Sequence, residues 1–158
     1  MRSKSCDAAI CIAVMHHLST EARRIRCIEE LVRIVRVGGT INIQAWAMEQ
    51  KEESRRKFAV PDIFVPFNAQ PKYLDMVKNT VPGTTNETSN SPSVAQTFSE
   101  AYEKAEYDEQ KGLVVFKRYC HMYKVGELEA LIERVANAAL VESGYENGNH
   151  FVILEVTG

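Results

Sequence analysis

Apolar residues run without interruption from Ala8 to Met15 and are bounded by polar residues on both sides. A short continuous run of this kind predicts a strand buried on both faces, as in a parallel sheet covered by helices. His16-His17-Leu18 then leads into Ser19-Thr20-Glu21, a capping residue followed by an acid for the first turn of a helix. Ile25, Ile28, Val32 and Val35 recur at helical spacing and Leu31 and Ile34 widen the stripe, while Arg23, Arg24, Arg26, Arg33 and Arg36 occupy much of the remainder. This predicts an amphipathic helix with a basic outer face, stopped by Gly38-Gly39. Thr40 to Trp46 reads as a second strand. Strand, helix and strand make a βαβ crossover, whose ligands gather beyond the carboxyl ends of the strands. His16, His17 and Trp46 are therefore expected on a functional rim.

The pattern fails from Ala47 to about Val115. Glu49 to Lys57 is charged and compatible with a helix, Val60 to Phe67 is apolar but broken by Pro61 and Pro66, and Asn79 to Ser93 has the composition of a mobile surface loop. Ser99 to Gln110 is compatible with a polar helix. Order resumes at Leu113-Val114-Val115-Phe116, followed by a dense basic and aromatic cluster, Lys117 to Tyr123. Gly126-Glu127 opens a helix with its stripe at Leu128, Leu131, Ile132 and Val135. Strands around 139–142 and 151–156 close the chain, and Asn147-Gly148 between them predicts an antiparallel hairpin.

Composition adds exclusions. The chain has 158 residues, is 45% hydrophobic and 25% charged, and has a formal net charge of -2, which fits one globular domain and excludes a strongly basic nucleic-acid coat or an acidic tail. A local basic patch remains compatible with that balance. Cys6, Cys11, Cys27 and Cys120 contain no C-x-x-C pair, so no zinc finger or other metal site is expected, and the thiols read as reduced. No signal peptide is read at the start, and no apolar run approaches the roughly 20 residues needed to span a bilayer. A cytoplasmic location, with a nuclear one also open, is the corresponding expectation.

The run Cys6 to Ser19, then Glu21-x-Arg23-Arg24-Ile25, Gly38-Gly39 and Ala45 to Gln50, resembles the second half of the eukaryotic tRNA wobble-uridine carboxymethyl methyltransferases. That family comprises the stand-alone fungal enzyme, the methyltransferase domain of the AlkB-homologue-8 fusion proteins and their animal paralogue. Asp62 to Phe67 is similar to the family's D-V-F-V-P-W element, and Arg118 to Leu128 to its R-Y-Y-H-x-Y-x-x-G-E-L element, with Cys120 in place of the second tyrosine. The resemblance implies an α/β fold, the second half of a Rossmann-like class I S-adenosylmethionine-dependent methyltransferase sheet, with parallel strands, a C-terminal antiparallel hairpin and a long irregular insertion. The chain then reads as one partial domain over 1–158: a strand-helix-strand core at 5–47, an insertion at 48–112 with a flexible 79–98, and a strand, helix and hairpin core at 113–158. Set against the family it begins at the fourth strand. No G-x-G occurs in it, so the main cofactor grip is expected to be missing and the chain alone inactive, whether as a fragment or as a truncated gene product.

The resemblance also implies the chemistry: methyl transfer from S-adenosylmethionine to the carboxylate of a wobble carboxymethyluridine. Arg118, helped by Tyr119 or His121, is expected to hold that carboxylate through its planar fork, and His16 or His17 to position the uracil or carboxylate. The backbone around Ile12 and Ala13, with His17, is expected along the cofactor. Lys124 is expected to join Arg118 in binding the tRNA. Trp46 either stacks on a base or packs under the insertion. The arginines of the first helix read as a solvated face, and His150 as structural. The implied partners are the tRNA anticodon loop and a small zinc-binding activator protein. The competing reading, from another class, is a non-catalytic RNA-binding or regulatory scaffold that keeps the fold's second half.

Overall fold

The computed structural model describes residues 1–54, 57–70 and 106–158. They form two compact units, Met1–Ile63 with Tyr119–Gly158, and Phe64–Arg118. The loop expected at 79–98 and the first part of the helix expected at 99–110 lie outside the described residues.

The first unit is built on strands β1 (Cys6–Ile12), β2 (Val35–Trp46), β6 (Ala138–Glu146) and β7 (Asn149–Val156), in the sheet order β1-β2-β7-β6. β1 and β2 are parallel, whereas β7 runs antiparallel to both β2 and β6. Helices α1 (Glu21–Ile34) and α2 (Glu127–Ile132) supply Ile28, Val32, Leu128, Leu131 and Ile132 to a core shared with Cys11, Ile41, Ile43, Val152 and Leu154 from the strands. In β2 and β7 buried residues alternate with more exposed ones, as a sheet covered on one face requires. This corrects the expectation for β1: Ala8 and Ile10 are exposed, Ile10 to 75%, because among the described residues no helix covers their face.

α1 begins where expected, with the Thr20 side chain accepting the Arg23 backbone N–H. It ends four residues before Gly38, at Ile34, because Val35 is already extended and pairs with Cys6. The register then jumps from Cys6↔Val35 to Ala8↔Thr40, so Arg36 to Gly39 form an excursion within β2 rather than a helix stop. Gly39 makes that excursion possible, since a Cβ there would lie 2.5 Å from the Asp7 carbonyl oxygen. The basic outer face of α1 also needs one correction. Arg24 is buried, donating to the Leu18 carbonyl at 3.2 Å and lying with its guanidinium carbon 5.9 Å from the Tyr123 ring centre.

The hairpin β6–β7 turns at Asn147 and Gly148, both with positive φ, as a two-residue type I′ turn demands. Among described residues Glu49 to Ser54 and Lys57 are not helical, and Val60 to Phe67 yields a strand despite Pro66: β3, Asp62–Ala69. β4 (Glu106–Asp108) occupies what reads as the end of a polar helix and pairs antiparallel with β5 (Leu113–His121), giving a three-stranded sheet β3-β5-β4. Among the described residues β3 lies at the edge of its sheet, the place where a strand tolerates proline. No helix among the described residues is long and apolar enough to cross a membrane.

Candidate functional site

β1 ends at Ile12, and the next residue, Ala13, adopts φ 58° while its N–H bonds the Gln44 carbonyl at 3.0 Å. A left-handed alanine is strained, and it redirects the chain from the strand into a single 3₁₀ turn, Met15–His17. That turn places His16 inward, 1% exposed, and leaves His17 half-buried. β2 ends beside it at Trp46, whose ring centre is 4.7 Å from that of His16, with Phe58 stacked farther out at 6.4 Å.

The end of β5 reaches the same place. His17 Nδ1 donates to the Tyr119 carbonyl at 3.0 Å, the Tyr123 N–H donates to the Trp46 carbonyl at 2.9 Å, and the Met48 N–H donates to the Tyr123 carbonyl at 2.8 Å. Tyr123 is fully buried, with its hydroxyl 3.4 Å from the Met15 carbonyl. Burial pushes its phenol well above the ordinary range, so it is a neutral hydrogen-bond donor and not a base.

Beside this junction lies a charged chain of groups. His121 is buried and touches two carboxylates, Asp62 through Nδ1 at 2.8 Å and Glu127 through Nε2 at 2.6 Å. Asp62 also accepts the Tyr119 hydroxyl. Burial alone lowers the histidine's proton affinity, but the bonds to Glu127 and Asp62 outweigh it and the net shift is upward. The Tyr119 and His121 bonds hold Asp62 below the usual carboxylate range. Glu127 is pushed up by burial yet drawn down further by His121. The ring is therefore clamped between two carboxylates that favour its protonated form, with Glu127 also accepting the Lys124 N–H at 3.1 Å. A second pair, His150 Nε2 to Glu49 Oε2 at 2.8 Å, ties β7 to the segment after β2.

His16, His17, Trp46, Tyr119 and His121 are thus brought to one rim, adjoining Ile12 and Ala13. Arg118 is the last residue of the other unit; its guanidinium carbon lies 5.0 Å from the Phe67 ring centre, and its Nε is buried without a hydrogen-bond partner among the described residues. The side chain of Lys124 is exposed, on the loop leading into α2. Asp62, Glu127 and Glu49 are not singled out by sequence reasoning. Asp62 and Glu127 stand inside the two family-like elements, but nothing local announces that they meet over one histidine.

No family model matches the chain. It is 33% identical over 98% of its length to the tRNA (carboxymethyluridine(34)-5-O)-methyltransferase of Xenopus tropicalis, of which it covers 27%, and 31% identical over 97% to that of Schizosaccharomyces pombe, of which it covers 58%. The chain thus spans between about a quarter and somewhat over half of the length of these relatives. Among solved structures, the CcbJ methyltransferase of Streptomyces caelestis superposes over the whole chain and 60% of its own length, with a TM-score of 0.55 at 10% identity. That likeness bears on the fold, a class I S-adenosylmethionine-dependent methyltransferase sheet.

Proposed function

We propose that the chain, similar along nearly its whole length to tRNA carboxymethyluridine methyltransferases, belongs to that family and forms part of a domain that methylates the carboxymethyl group of a tRNA wobble uridine. The observation carrying this reading is the convergence of the β1 end, the β2 end and the Tyr119–Tyr123 segment on one rim, where His17 bonds the Tyr119 carbonyl and His16 packs on Trp46. The partners of that role are the tRNA anticodon loop and, for the whole domain, a small zinc-binding activator protein.

S-adenosylmethionine, when bound, supplies an electrophilic methyl group on a positively charged sulfonium. The chain's own residues fit one flank of that cofactor: Ile12 and Ala13 present an uncharged, exposed edge at the strand end, next to His17. They include no glycine-rich loop. The acceptor carboxylate is ionised at neutral pH, so these residues need to orient it and exclude water rather than remove a proton. Arg118 is the group assigned to the carboxylate, through its planar guanidinium fork. The His121 ring fixes Tyr119 through the shared Asp62. Trp46 and Lys124 are assigned to the base and the RNA backbone.

The test is binding of an anticodon stem-loop to the chain, with either carboxymethyluridine or uridine at the wobble position. A charge-assisted contact contributes about 1.5–3 kcal/mol, so the modified stem-loop should bind roughly ten- to a hundredfold more tightly. Arg118→Ala should erase that preference. Equal binding of both stem-loops by the unaltered chain would overturn the assignment.

A further inference from the structure

We propose that His16, His17 and Cys120 form a zinc site, with three protein ligands and a fourth position left open. One donor atom from each of the three lies within 4.8 Å of the other two. His16 and Cys120 are buried, and His17 is half-buried, so the cluster opens to solvent on the His17 side. Two imidazoles and a thiol are a borderline-soft donor set, which suits zinc rather than magnesium or calcium.

The spacing fits. With Zn–N about 2.0–2.1 Å and Zn–S about 2.3 Å, a tetrahedral angle separates a bound nitrogen from a bound sulfur by about 3.6 Å. Cys120 Sγ lies 3.6 Å from His17 Nδ1. The His16 and His17 ring centres are 4.3 Å apart at an interplanar angle of 75°, so the two rings are already crossed rather than stacked face to face. What the site exchanges on loading is the His17 bond to the Tyr119 carbonyl: the metal takes the Nδ1 lone pair and the ring proton resides on Nε2. The thiol loses its proton to solvent as the Zn–S bond forms, so loading releases a proton and weakens with falling pH. No electron is transferred, and no co-reactant is needed.

The backbone is prepared for such a role. The strained Ala13 starts the 3₁₀ turn that sets the histidines side by side, and β5 delivers Cys120 from 103 residues away in sequence. A separation that large is why cysteine spacing hides the group. The inference goes beyond the methyl-transfer reading, because metal binding is measured without tRNA or methyl donor.

The experiment uses the full chain, stripped with a chelator and titrated with cobalt(II), which reports thiolate ligation as a near-ultraviolet charge-transfer band, and then with zinc. One equivalent of cobalt should produce the band, and one equivalent of zinc should abolish it. Cys120→Ser should remove the band and His17→Ala should weaken cobalt binding by at least about a hundredfold, beyond the 10–100-fold typical of losing an outer-shell partner. Cys27→Ser should retain both. Circular dichroism of each variant separates lost ligation from lost folding, and should Cys120→Ser fail to fold, Cys120→Ala is used with the same readout. Absence of the band in the unaltered chain, its persistence in a folded Cys120 variant, or its loss in a folded Cys27→Ser would each overturn the proposal. Binding of copper(I) with no binding of zinc would overturn the assignment of the metal.

Discussion

His121 Nε2 lies 2.6 Å from Glu127 Oε1, and this contact, with Asp62 on the opposite nitrogen, gives the stability of the protein a particular pH profile. The histidine's proton affinity is raised in the fold, so its contribution is complete below the unfolded value and is lost as pH rises through the folded one. Asp62 and Glu127 are lowered, so theirs is present above the unfolded carboxylate range and lost as pH falls through the folded values. Urea denaturation should therefore show a stability plateau falling away on both sides. His121→Gln should lose the alkaline limb and cost about 1–3 kcal/mol within the plateau, a range set below that of a fully buried pair because Asp62 is largely exposed. Coincident profiles for the two proteins would mean that the ring is neutral.

Gly39→Ala should destabilise the chain much more than Gly126→Ala. A Cβ at Gly39 would meet two backbone oxygens, Asp7 at 2.5 Å and Arg36 at 2.9 Å, neither able to swing aside, whereas at Gly126 it meets nothing within 4 Å and only the positive φ is strained. Expected losses are about 2–4 kcal/mol against about 1 kcal/mol, read from denaturant midpoints at unchanged m.

Trp46→Ala should weaken binding of the modified stem-loop by about 1–3 kcal/mol if one ring face takes a base. Arg33→Ala should leave it unchanged, because Arg33 is already engaged with Glu30, Ser3 and the Met1 carbonyl. Fluorescence anisotropy at two salt concentrations checks both. An Arg33 effect exceeding that of Trp46 would place the RNA along α1 instead of the rim.

Calorimetric titration with S-adenosylmethionine should detect no site on the chain tighter than about 100 μM, or about -5.5 kcal/mol, since only one flank of the cofactor is provided for. Low-micromolar binding would show that the glycine-rich loop is dispensable.

Among the described residues β1 lies at the edge of its sheet, and it exposes Ile10 and Ile12. Sedimentation at micromolar concentration should reveal self-association, and Ile10→Lys should reduce it. Monomers in both cases would show that this edge does not self-pair.

The strand-helix-strand segment and the final hairpin are legible in the sequence because each couples a clear period to a punctuating residue, Thr20 at one end and Asn147-Gly148 at the other. The C-terminal limit of α1 is not, since glycine is a helix stop only if the helix reaches it, and Val35-Arg36-Val37 turns extended first. Pro66 conceals β3, because proline speaks against a strand unless its place at a sheet edge is known. His16, His17 and Trp46 are legible as rim residues from topology alone. The partnerships of Asp62 with His121 and of Glu49 with His150, 59 and 101 residues apart, arise only from tertiary contact.

The Met122 N–H donates to the Pro61 carbonyl at 2.6 Å, so the chain leaves the larger unit and re-enters it through neighbouring points. Residues 64–118 are in that sense a parenthesis, opened and closed at one place. Loop-closure entropy grows only with the logarithm of length, so lengthening or shortening the enclosed text costs little as long as the two brackets stay bonded. A descendant of this sequence is free to rewrite the interior, and with it whatever that interior recognises, while the histidine rim keeps its wording.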